Sequence, residues 1–393
     1  MRRIGIYGGT FNPPHIGHIR AALGAVRALG LEKLIVIPDR IAPHKEMPEG
    51  SAAPMQRLEM LRIAFADAPQ IEVSDMELRR EGVSYTVDTV RQLRQEYPDA
   101  ELILLVGTDM FLSFHQWRQP EEILAQASLG VFYRGAKGEK SDIEERKAQM
   151  EAQGHRVYLI QNEIVDISST NLRRMLIFQC AEPFLPEGVG DYIRKNGLFG
   201  TGVSYQNLPM DRLEQVVIRL LKPNRVNHVL GCRNTAVELA KRWGADETDA
   251  ARAGILHDIT KALDGPLQLT LSDEYGTILT EFSKKYPKTL HALTGSLVAQ
   301  RIFGENEAVV TAIRYHTTGR AGMSLLEKII YVADYMEPNR DFPGVERLRE
   351  LAFTDMDAAL KLGLEMTLEH LNRQGAEVSP ESRGALEYLN SAR

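Results

Sequence analysis

The chain has 393 residues, a formal net charge of −6 and two cysteines, Cys180 and Cys232. Neither half is basic, which argues against a general nucleic-acid-binding protein, and two cysteines so far apart do not form a disulfide framework. No apolar run reaches the length of a membrane-spanning helix, and residues 1–4 lead into a predicted strand rather than a secretion signal. We therefore expect two or three domains in a cytoplasmic protein that binds neither membrane nor nucleic acid.

Six short apolar runs predict β-strands in the first half of the chain. Helical patterns separate the runs, and this alternation predicts a parallel sheet with crossover helices, the Rossmann-like α/β class. Ligands of such sheets bind beyond the carboxyl ends of the strands, so the residues that follow the strands are candidates for a site. The predicted strands are 4–7, 33–38, 71–74, 102–107, 129–133 and 157–160.

The turn after the first predicted strand is the most informative stretch. Residues 8–18 read Gly-Gly-Thr-Phe-Asn-Pro-Pro-His-Ile-Gly-His. Gly8 and Gly9 let the backbone approach a ligand closely. His15 and His18 lie three residues apart near the start of a predicted helix and share one face of it. Free N–H groups and a partial positive charge at such a helix start favour phosphate.

Loops after the later strands carry further candidate side chains. His44 and Lys45 offer positive charge to an anion, although a solvated loop is the simpler interpretation of these residues alone. Thr86 opens a predicted helix and, taken alone, is a capping residue. Asp109 and Trp117 follow the fourth strand, where an ordinary turn and an aromatic-bearing helix are the alternative.

Residues 168–174 combine a predicted helix start with a basic side chain. Ser168, Ser169 and Thr170 follow the sixth strand and are strong N-capping residues. Arg173 comes three residues after Thr170. A cap without further function is one interpretation, but hydroxyls, free N–H groups and a guanidinium also suit a triphosphate.

These motifs resemble the signatures of the nucleotidyltransferase superfamily. His15-Ile16-Gly17-His18 is similar to its H-x-G-H motif, and Ile-Ser-Ser-Thr-Asn-Leu-Arg over residues 167–173 closely resembles its second signature. The turn over residues 8–15 looks like the bacterial nicotinate-nucleotide adenylyltransferase branch. The resemblance covers about residues 1–200 and implies adenylyl transfer from ATP, with Mg²⁺, to nicotinate mononucleotide. Nicotinamide mononucleotide or pantetheine phosphate is the alternative acceptor.

The resemblance also implies a role for each matching residue, with His15 and His18 catalytic. The implied ATP contacts are Gly8, Gly9, Thr10, Phe11, Ser168, Ser169, Thr170 and Arg173. The implied contacts with nicotinate mononucleotide are His44, Lys45, Thr86, Asp109, Trp117 and Arg134. Asp109 would hold ribose hydroxyls and Trp117 would stack on the pyridine ring.

Helical periodicity dominates the second half, and it predicts an all-α domain over residues 209–393 after a linker at 201–208. A neighbouring His-Asp pair on an apolar helix is costly to bury without a partner, and a metal ion supplies one. Five candidate segments follow in order: His228, then His257 with Asp258, His291, His316 and Asp334.

This ordered set resembles the HD-domain metal-dependent phosphohydrolases, and its flanking residues are similar to the YqeK-type family. The resemblance implies symmetrical cleavage of diadenosine tetraphosphate into two ADP. A non-catalytic nucleotide-sensing module or a general phosphohydrolase is the alternative, and a homo-oligomer is possible. The implied metal ligands are His228, His257, Asp258 and Asp334, for iron or else manganese or zinc. The implied nucleotide contacts are Arg225, Lys261, His291 and His316, the last two being alternatively ligands of a second metal.

Overall fold

The computed structural model describes residues 2–41, 47–133, 139–161 and 165–391. The chain divides into two compact units, Met1–Val203 and Ser204–Arg393. In the described ranges, no helix combines the length and the apolar character needed to cross a membrane.

The first unit is built on a six-stranded sheet with the order β3-β2-β1-β4-β5-β6, in which every neighbouring pair is parallel. The predicted α/β class is therefore confirmed. The strand order reverses between β1 and β4, and a ligand crevice opens at such a point, beyond the carboxyl ends of the strands. The strands are β1 (Arg3–Gly9), β2 (Lys33–Pro38), β3 (Ile71–Val73), β4 (Glu101–Gly107), β5 (Ser128–Tyr133) and β6 (Val157–Gln161).

Helices cover both faces of this sheet, which explains why most residues of its central strands are apolar. In β4, Leu102 and Leu104 belong to one buried cluster, whereas Ile103 and Leu105 belong to another. The helices are α1 (Ile16–Leu29), α2 (Pro54–Ala64), α3 (Thr86–Glu96), α4 (Thr108–Leu112), α5 (Pro120–Gln126), α6 (Glu139–Ala152), α7 (Ser169–Ile177) and α8 (Val189–Lys195).

The second unit is helical, and residues 204–391 contain no strand. This confirms the predicted all-α class. Helices such as α9 bury one apolar stripe, in which Leu213, Val217 and Leu220 lie at helical spacing. The helices are α9 (Met210–Leu220), α10 (Val226–Trp243), α11 (Glu247–Leu256), α12 (Gly265–Glu274), α13 (Glu281–Lys285), α14 (Leu290–Arg301), α15 (Glu307–Tyr315), α16 (Leu325–Met336), α17 (Val345–Thr354), α18 (Met356–Arg373) and α19 (Pro380–Ser391).

Candidate active sites

Two stacked histidines lie where β1 passes into α1. The rings of His15 and His18 are 3.6 Å apart between centroids. The backbone N–H of His15 donates to Nδ1 of His18 over 3.1 Å, so the proton of a neutral His18 ring is on Nε2. Burial, with a smaller contribution from His15, lowers the pKa of His18 well below its ordinary value. His18 is therefore a neutral N–H donor at pH 7.

The turn between these elements is tightly packed. Phe11 is 3% exposed and its ring lies edge-on to the His18 ring at 5.1 Å, so its side chain packs inside the turn. A Cβ atom at Gly9 would lie 3.0 Å from the Phe11 ring, whereas one at Gly8 would meet open space. The Thr10 hydroxyl donates to Oδ2 of Asp39 over 2.8 Å.

The second predicted phosphate-binding segment, at the start of α7, contacts the first. The Ser169 hydroxyl donates to the Pro13 carbonyl over 2.9 Å. The Arg173 guanidinium donates to the Asn12 carbonyl over 2.7 Å and to the Thr170 hydroxyl over 3.1 Å. The structure thus brings the start of α7 against the turn that carries the two histidines.

Of four other residues predicted for this site, the structure describes one, Ser168. Ser168 is the N-cap of α7, and its hydroxyl accepts the backbone N–H of Asn171 over 3.2 Å. His44, Lys45 and Arg134 lie outside the described residues. Their roles stay predictions.

The residues predicted to bind the pyridine nucleotide lie at the starts of α3 and α4 and in the segment that follows α4. Thr86 is the first residue of α3, and Asp109 is exposed in the first turn of α4. Trp117 is half-buried and packs against the core of this unit. The Arg118 guanidinium lies 4.3 Å from the ring centre of Tyr85. The Thr86 and Trp117 segments therefore meet.

Arg57 is a residue of this site that the sequence analysis did not single out. Its side chain is 1% exposed, and it donates to the Thr10 carbonyl over 2.7 Å and to the Asp39 carbonyl over 2.6 Å. It also donates to Oδ1 of Asp39 over 3.1 Å. The spacing of the sequence does indicate that Arg57 is buried. It lies three and four residues before the buried Met60 and Leu61 of α2, and therefore on the apolar face of that helix.

In the second unit, residues of five helices and their ends converge on one buried cluster. The apolar pattern predicts a helix that includes the His257-Asp258 pair. That prediction is wrong, because α11 ends at Leu256 and the pair lies in the turn that follows. Lys261 is in the same turn. It therefore lies near the cluster because of the turn, and not because it shares a helix face with His257. His228 is in α10, His291 in α14 and Asp334 in α16, and His316 directly follows α15.

All four histidines of the cluster are held by a hydrogen bond at Nδ1. Three of these atoms face the carbonyl oxygen three residues earlier, and the fourth faces a carboxylate, so Nδ1 carries the proton of each neutral ring and Nε2 keeps its lone pair. The distances are 2.7 Å from His257 to Gly254, 2.9 Å from His291 to Lys288, 2.7 Å from His316 to Ile313 and 3.1 Å from His228 to Oε1 of Glu337.

The acceptor atoms of this cluster fit a metal ion. Nε2 of His228 lies 3.3 Å from Nε2 of His257 and 3.2 Å from Oδ1 of Asp334. Oδ2 of Asp258 lies 3.7 Å from Nε2 of His257 and 3.8 Å from Nε2 of His228. Ligand atoms about 2.0–2.2 Å from one ion lie roughly 3–3.5 Å from each other. Lone pairs and carboxylate oxygens this close repel one another unless a cation lies between them.

Asp258 faces a second group of side chains with its other oxygen. Oδ1 lies 3.5 Å from Nε2 of His291 and 3.9 Å from Nε2 of His316. The Lys261 ammonium lies 2.9 Å from Nε2 of His291 and 3.9 Å from Oδ1 of Asp258. The Thr317 hydroxyl lies between the two rings, 3.3 Å and 3.2 Å from their Nε2 atoms. The predicted nucleotide contacts thus border the predicted metal ligands.

Burial and charge set the protonation states of the cluster. Burial lowers the pKa of His257, and lowers the pKa of His291 to about 3 and that of His316 to about 4. Burial alone would raise the pKa of Asp258, but His257 and Lys261 hold it far below its ordinary value. Neutral imidazoles and an ionised carboxylate are the states that bind metal.

Two arginines neutralise the carboxylates of the cluster. Arg225, predicted as a nucleotide contact, forms an ion pair with Oδ2 of Asp258. Arg340 donates to Oδ1 of Asp334 over 2.7 Å and to its carbonyl over 2.9 Å. Arg340 and Glu337 were not assigned roles from the sequence. Only the tertiary fold shows that they contact the predicted ligands.

Comparison with known proteins separates the two units in the same way. The Cytidylyltransferase-like family matches residues 6–175 and the HD domain family matches residues 225–339. The chain is 39% identical over 210 residues to the probable nicotinate-nucleotide adenylyltransferase of Aeromonas salmonicida, covering 50% of this chain and 96% of that protein.

Two further relatives match the HD-type half. The chain is 42% identical over 165 residues to the symmetrical bis(5'-nucleosyl)-tetraphosphatase of Bacillus subtilis, covering 41% of this chain and 87% of that protein. A crystal structure of a predicted HD superfamily hydrolase involved in NAD metabolism, from Clostridium acetobutylicum, is 36% identical. It covers 47% of this chain and 99% of its own, with a TM-score of 0.46.

Proposed function

We propose that this chain, which belongs to the nicotinate-nucleotide adenylyltransferase family in its first part and to the HD-domain family of symmetrical bis(5'-nucleosyl)-tetraphosphatases in its second, carries both activities. The first unit joins ATP and nicotinate mononucleotide to give deamido-NAD and pyrophosphate. The second hydrolyses diadenosine tetraphosphate with one water to give two ADP. Both reactions belong in the cytoplasm, as the sequence analysis expects.

One observation carries the first assignment: the two phosphate-binding motifs, far apart in the sequence, meet at one turn. ATP enters as its Mg²⁺ complex. A phosphate oxygen of the mononucleotide attacks the α-phosphorus in line, and the bond from that phosphorus to the bridging oxygen breaks as pyrophosphate leaves. Such transfer depends mainly on positioning and charge stabilisation.

The side chains of the turn supply that stabilisation. His18 donates its Nε2–H to the α-phosphate oxygens, where negative charge builds up in the transition state. His15 stacks on His18 and holds its orientation. Arg173 and the free N–H groups at the start of α7 hold the leaving pyrophosphate.

The acceptor end of the site selects nicotinate. Thr86 and the neighbouring N–H groups at the start of α3 donate to the nicotinate carboxylate. Trp117 stacks on the pyridine ring, and Asp109 accepts from the ribose hydroxyls. His44, Lys45 and Arg134 keep the phosphate- and carboxylate-binding roles that the family resemblance implies.

In the second unit, the observation that carries the assignment is the set of acceptor atoms that face one point. His228, His257, Asp258 and Asp334 hold a divalent metal there. Mixed imidazole and carboxylate ligands suit iron, manganese or zinc, and we propose iron from the family resemblance, with manganese or zinc as the alternatives. When bound, such a metal provides hydroxide near neutral pH and polarises a phosphoryl oxygen.

The neighbouring residues of the second unit bind the polyphosphate chain. Lys261 and Arg225 bring positive charge to the phosphates beside the cluster. His291 and His316 contact phosphate oxygens on the Oδ1 side of Asp258. With these contacts, one ADP half of the substrate is bound as the leaving group. The cleaved bond is then the one at the midpoint of the tetraphosphate.

Assays of the full-length protein test both assignments. The panel contains nicotinate mononucleotide, nicotinamide mononucleotide and pantetheine phosphate with ATP, and several dinucleotide polyphosphates with added metal. We expect deamido-NAD as the preferred product of the first reaction and ADP as the sole nucleotide from diadenosine tetraphosphate. AMP together with ATP would mean asymmetric cleavage and would contradict the second assignment.

A further inference from the structure

Arg57 is enclosed by two loops of the first unit and is almost completely buried. The Arg57 side chain donates two hydrogen bonds to backbone carbonyls, of Thr10 and Asp39, and one to the Asp39 carboxylate. Asp39 is itself held by the Thr10 hydroxyl at Oδ2 and by the Gly9 carbonyl at its backbone N–H over 3.0 Å. These contacts tie the turn after β1 to the loop after β2.

Stability alone does not explain an arginine at this position. Arg57 lies on the apolar face of α2, where a leucine or methionine would bury more hydrocarbon. Removing a guanidinium from water costs several kcal/mol, and a buried ion pair is often no better for stability than apolar residues of similar volume. What the guanidinium provides and an apolar side chain does not is a set of directed bonds that fix two loops relative to each other.

The loop after β2 extends the connection towards the acceptor end of the site. The Arg40 guanidinium donates to the Arg80 carbonyl over 2.5 Å. The backbone N–H of Arg40 donates to the Ser84 hydroxyl over 3.4 Å, and the N–H of Ser84 donates to the Ile41 carbonyl over 3.3 Å. Ser84 lies two residues before Thr86, the first residue of α3.

We propose that Arg57 is a positioning residue that sets the distance between the ATP-binding turn and the acceptor-binding segment that leads to Thr86. The inference rests on the proposed adenylyl transfer. In-line attack needs the reacting atoms about 3–3.5 Å apart, and a misplacement of about 1 Å costs on the order of 10²-fold in rate. Loss of Arg57 therefore lowers turnover of the two bound substrates more than it lowers the binding of either one alone.

The test compares Arg57→Met, Arg57→Lys and Asp39→Asn in the full-length protein. Glu101→Gln is the matched control, because Glu101 is also a buried carboxylate paired with an arginine, Arg3, but lies at the start of β4, at the amino ends of the strands and away from the proposed site. For each variant, kcat of adenylyl transfer is measured together with the Kd of each substrate alone by calorimetry. Hydrolysis of diadenosine tetraphosphate monitors the second unit.

We expect Arg57→Met to lower kcat about 10- to 100-fold while each single-substrate Kd changes less than threefold. Arg57→Lys keeps the positive charge but has one donor nitrogen in place of the guanidinium fork. This variant and Asp39→Asn should fall between Arg57→Met and the wild type, and they carry the test if Arg57→Met does not fold. Glu101→Gln should stay near wild type. An equal loss of kcat in Glu101→Gln and the Arg57 variants, or a kcat within twofold of wild type in Arg57→Met, overturns the inference. A wild-type protein without adenylyl transfer instead overturns the proposed function.

Discussion

Nδ1 of His228 lies 3.1 Å from a carboxylate oxygen of Glu337, whose side chain is 1% exposed. The other oxygen of Glu337 accepts the backbone N–H and the side-chain amide of Asn339, each over 2.8 Å. A Cβ atom at Gly231 would collide with that oxygen, so the glycine makes room for the carboxylate. Glu337 thereby fixes the ring of His228 with its Nε2 lone pair towards the other acceptors of the cluster.

Replacement of Glu337 by glutamine should weaken metal binding about 10- to 100-fold, the usual effect of losing a carboxylate behind a histidine ligand. Calorimetric titration of the metal-free protein with Fe²⁺, Mn²⁺ or Zn²⁺ measures this directly. Glu305→Gln is the control, because Glu305 is a buried carboxylate of the same unit that pairs with Arg252. Equal metal affinity in Glu337→Gln and the wild type would contradict a role for Glu337 at His228.

His18→Ala should lower kcat of adenylyl transfer about 10²- to 10³-fold, because one preorganised donor to a developing negative charge is typically worth that much. His18→Gln, which keeps an N–H donor, should retain more activity than His18→Ala. Hydrolysis of diadenosine tetraphosphate by the same protein is the internal control and should be unchanged. Near-normal turnover of His18→Ala with ATP and nicotinate mononucleotide is the outcome that excludes this role.

The lowered pKa of His18 also predicts how acid affects the stability of the first unit. In the unfolded chain this histidine takes up a proton as the pH falls below about 6.5, whereas the folded state leaves it neutral until the pH is much lower. The unfolded state therefore binds more protons in this window, and the free energy of unfolding falls as the pH decreases through it.

His18→Gln removes this titrating group, so its first unit should lose less stability between pH 7 and pH 5 than the wild type does. Hydrogen exchange of peptides from β1 and β4 reports on this unit without the second. The comparison is made between the two proteins at each pH. An identical acid-induced loss of protection in both would show that His18 titrates normally in the folded state.

The first unit should prefer nicotinate over nicotinamide mononucleotide, because correctly aimed N–H donors favour a carboxylate over an amide. Thr86→Val removes one donor at the start of α3. It should therefore bring the ratio of kcat/KM for nicotinate mononucleotide to kcat/KM for nicotinamide mononucleotide closer to one. Thr89→Val serves for comparison, since Thr89 is also in α3 but its buried hydroxyl donates to Glu77, in the segment between β3 and α3. Comparable kcat/KM values of the wild type for both substrates would refute the selectivity.

Asp258→Ala should abolish both metal binding and hydrolysis of diadenosine tetraphosphate, because a carboxylate ligand supplies charge as well as geometry. His316→Ala should keep more of the metal and lose turnover, if its contact is with phosphate. Metal content by elemental analysis and product identity by chromatography decide between these outcomes. An Asp258→Ala protein that is metal-free and fully active would remove the proposed metal mechanism.

The elements that the sequence predicted well are those with local patterns. The six strands lie in short runs rich in apolar residues, and each predicted phosphate-binding motif is a short segment whose glycines, histidines or hydroxyls imply one kind of turn. Arg57 and Glu337 could not be identified in this way, because a buried charge depends on partners that lie far away in the sequence. Arg57 meets Thr10, and Glu337 meets His228.

The position of the His257-Asp258 pair is a second feature that the local sequence pattern could not predict. The apolar residues 253–256 predict a helix, and they form the end of α11. Nothing in that periodicity indicates that the helix stops at Leu256, since no glycine or proline follows until Gly265. The turn is set by contacts of the pair and of Thr260, whose hydroxyl donates to the His291 carbonyl over 3.0 Å.

The contacts of α7 with the histidine turn have a consequence for how the protein is made. Ser169 and Pro13 are 156 residues apart in the chain, and Arg173 and Asn12 are 161 apart. At about 5–20 residues per second, a ribosome needs roughly 8–30 s to add that stretch. During this time the nascent chain carries His15 and His18, which we propose to be catalytic, but the helix start that contacts their turn has not yet been synthesised. A chain that stops before β6 is therefore left with a histidine turn that lacks its partner helix.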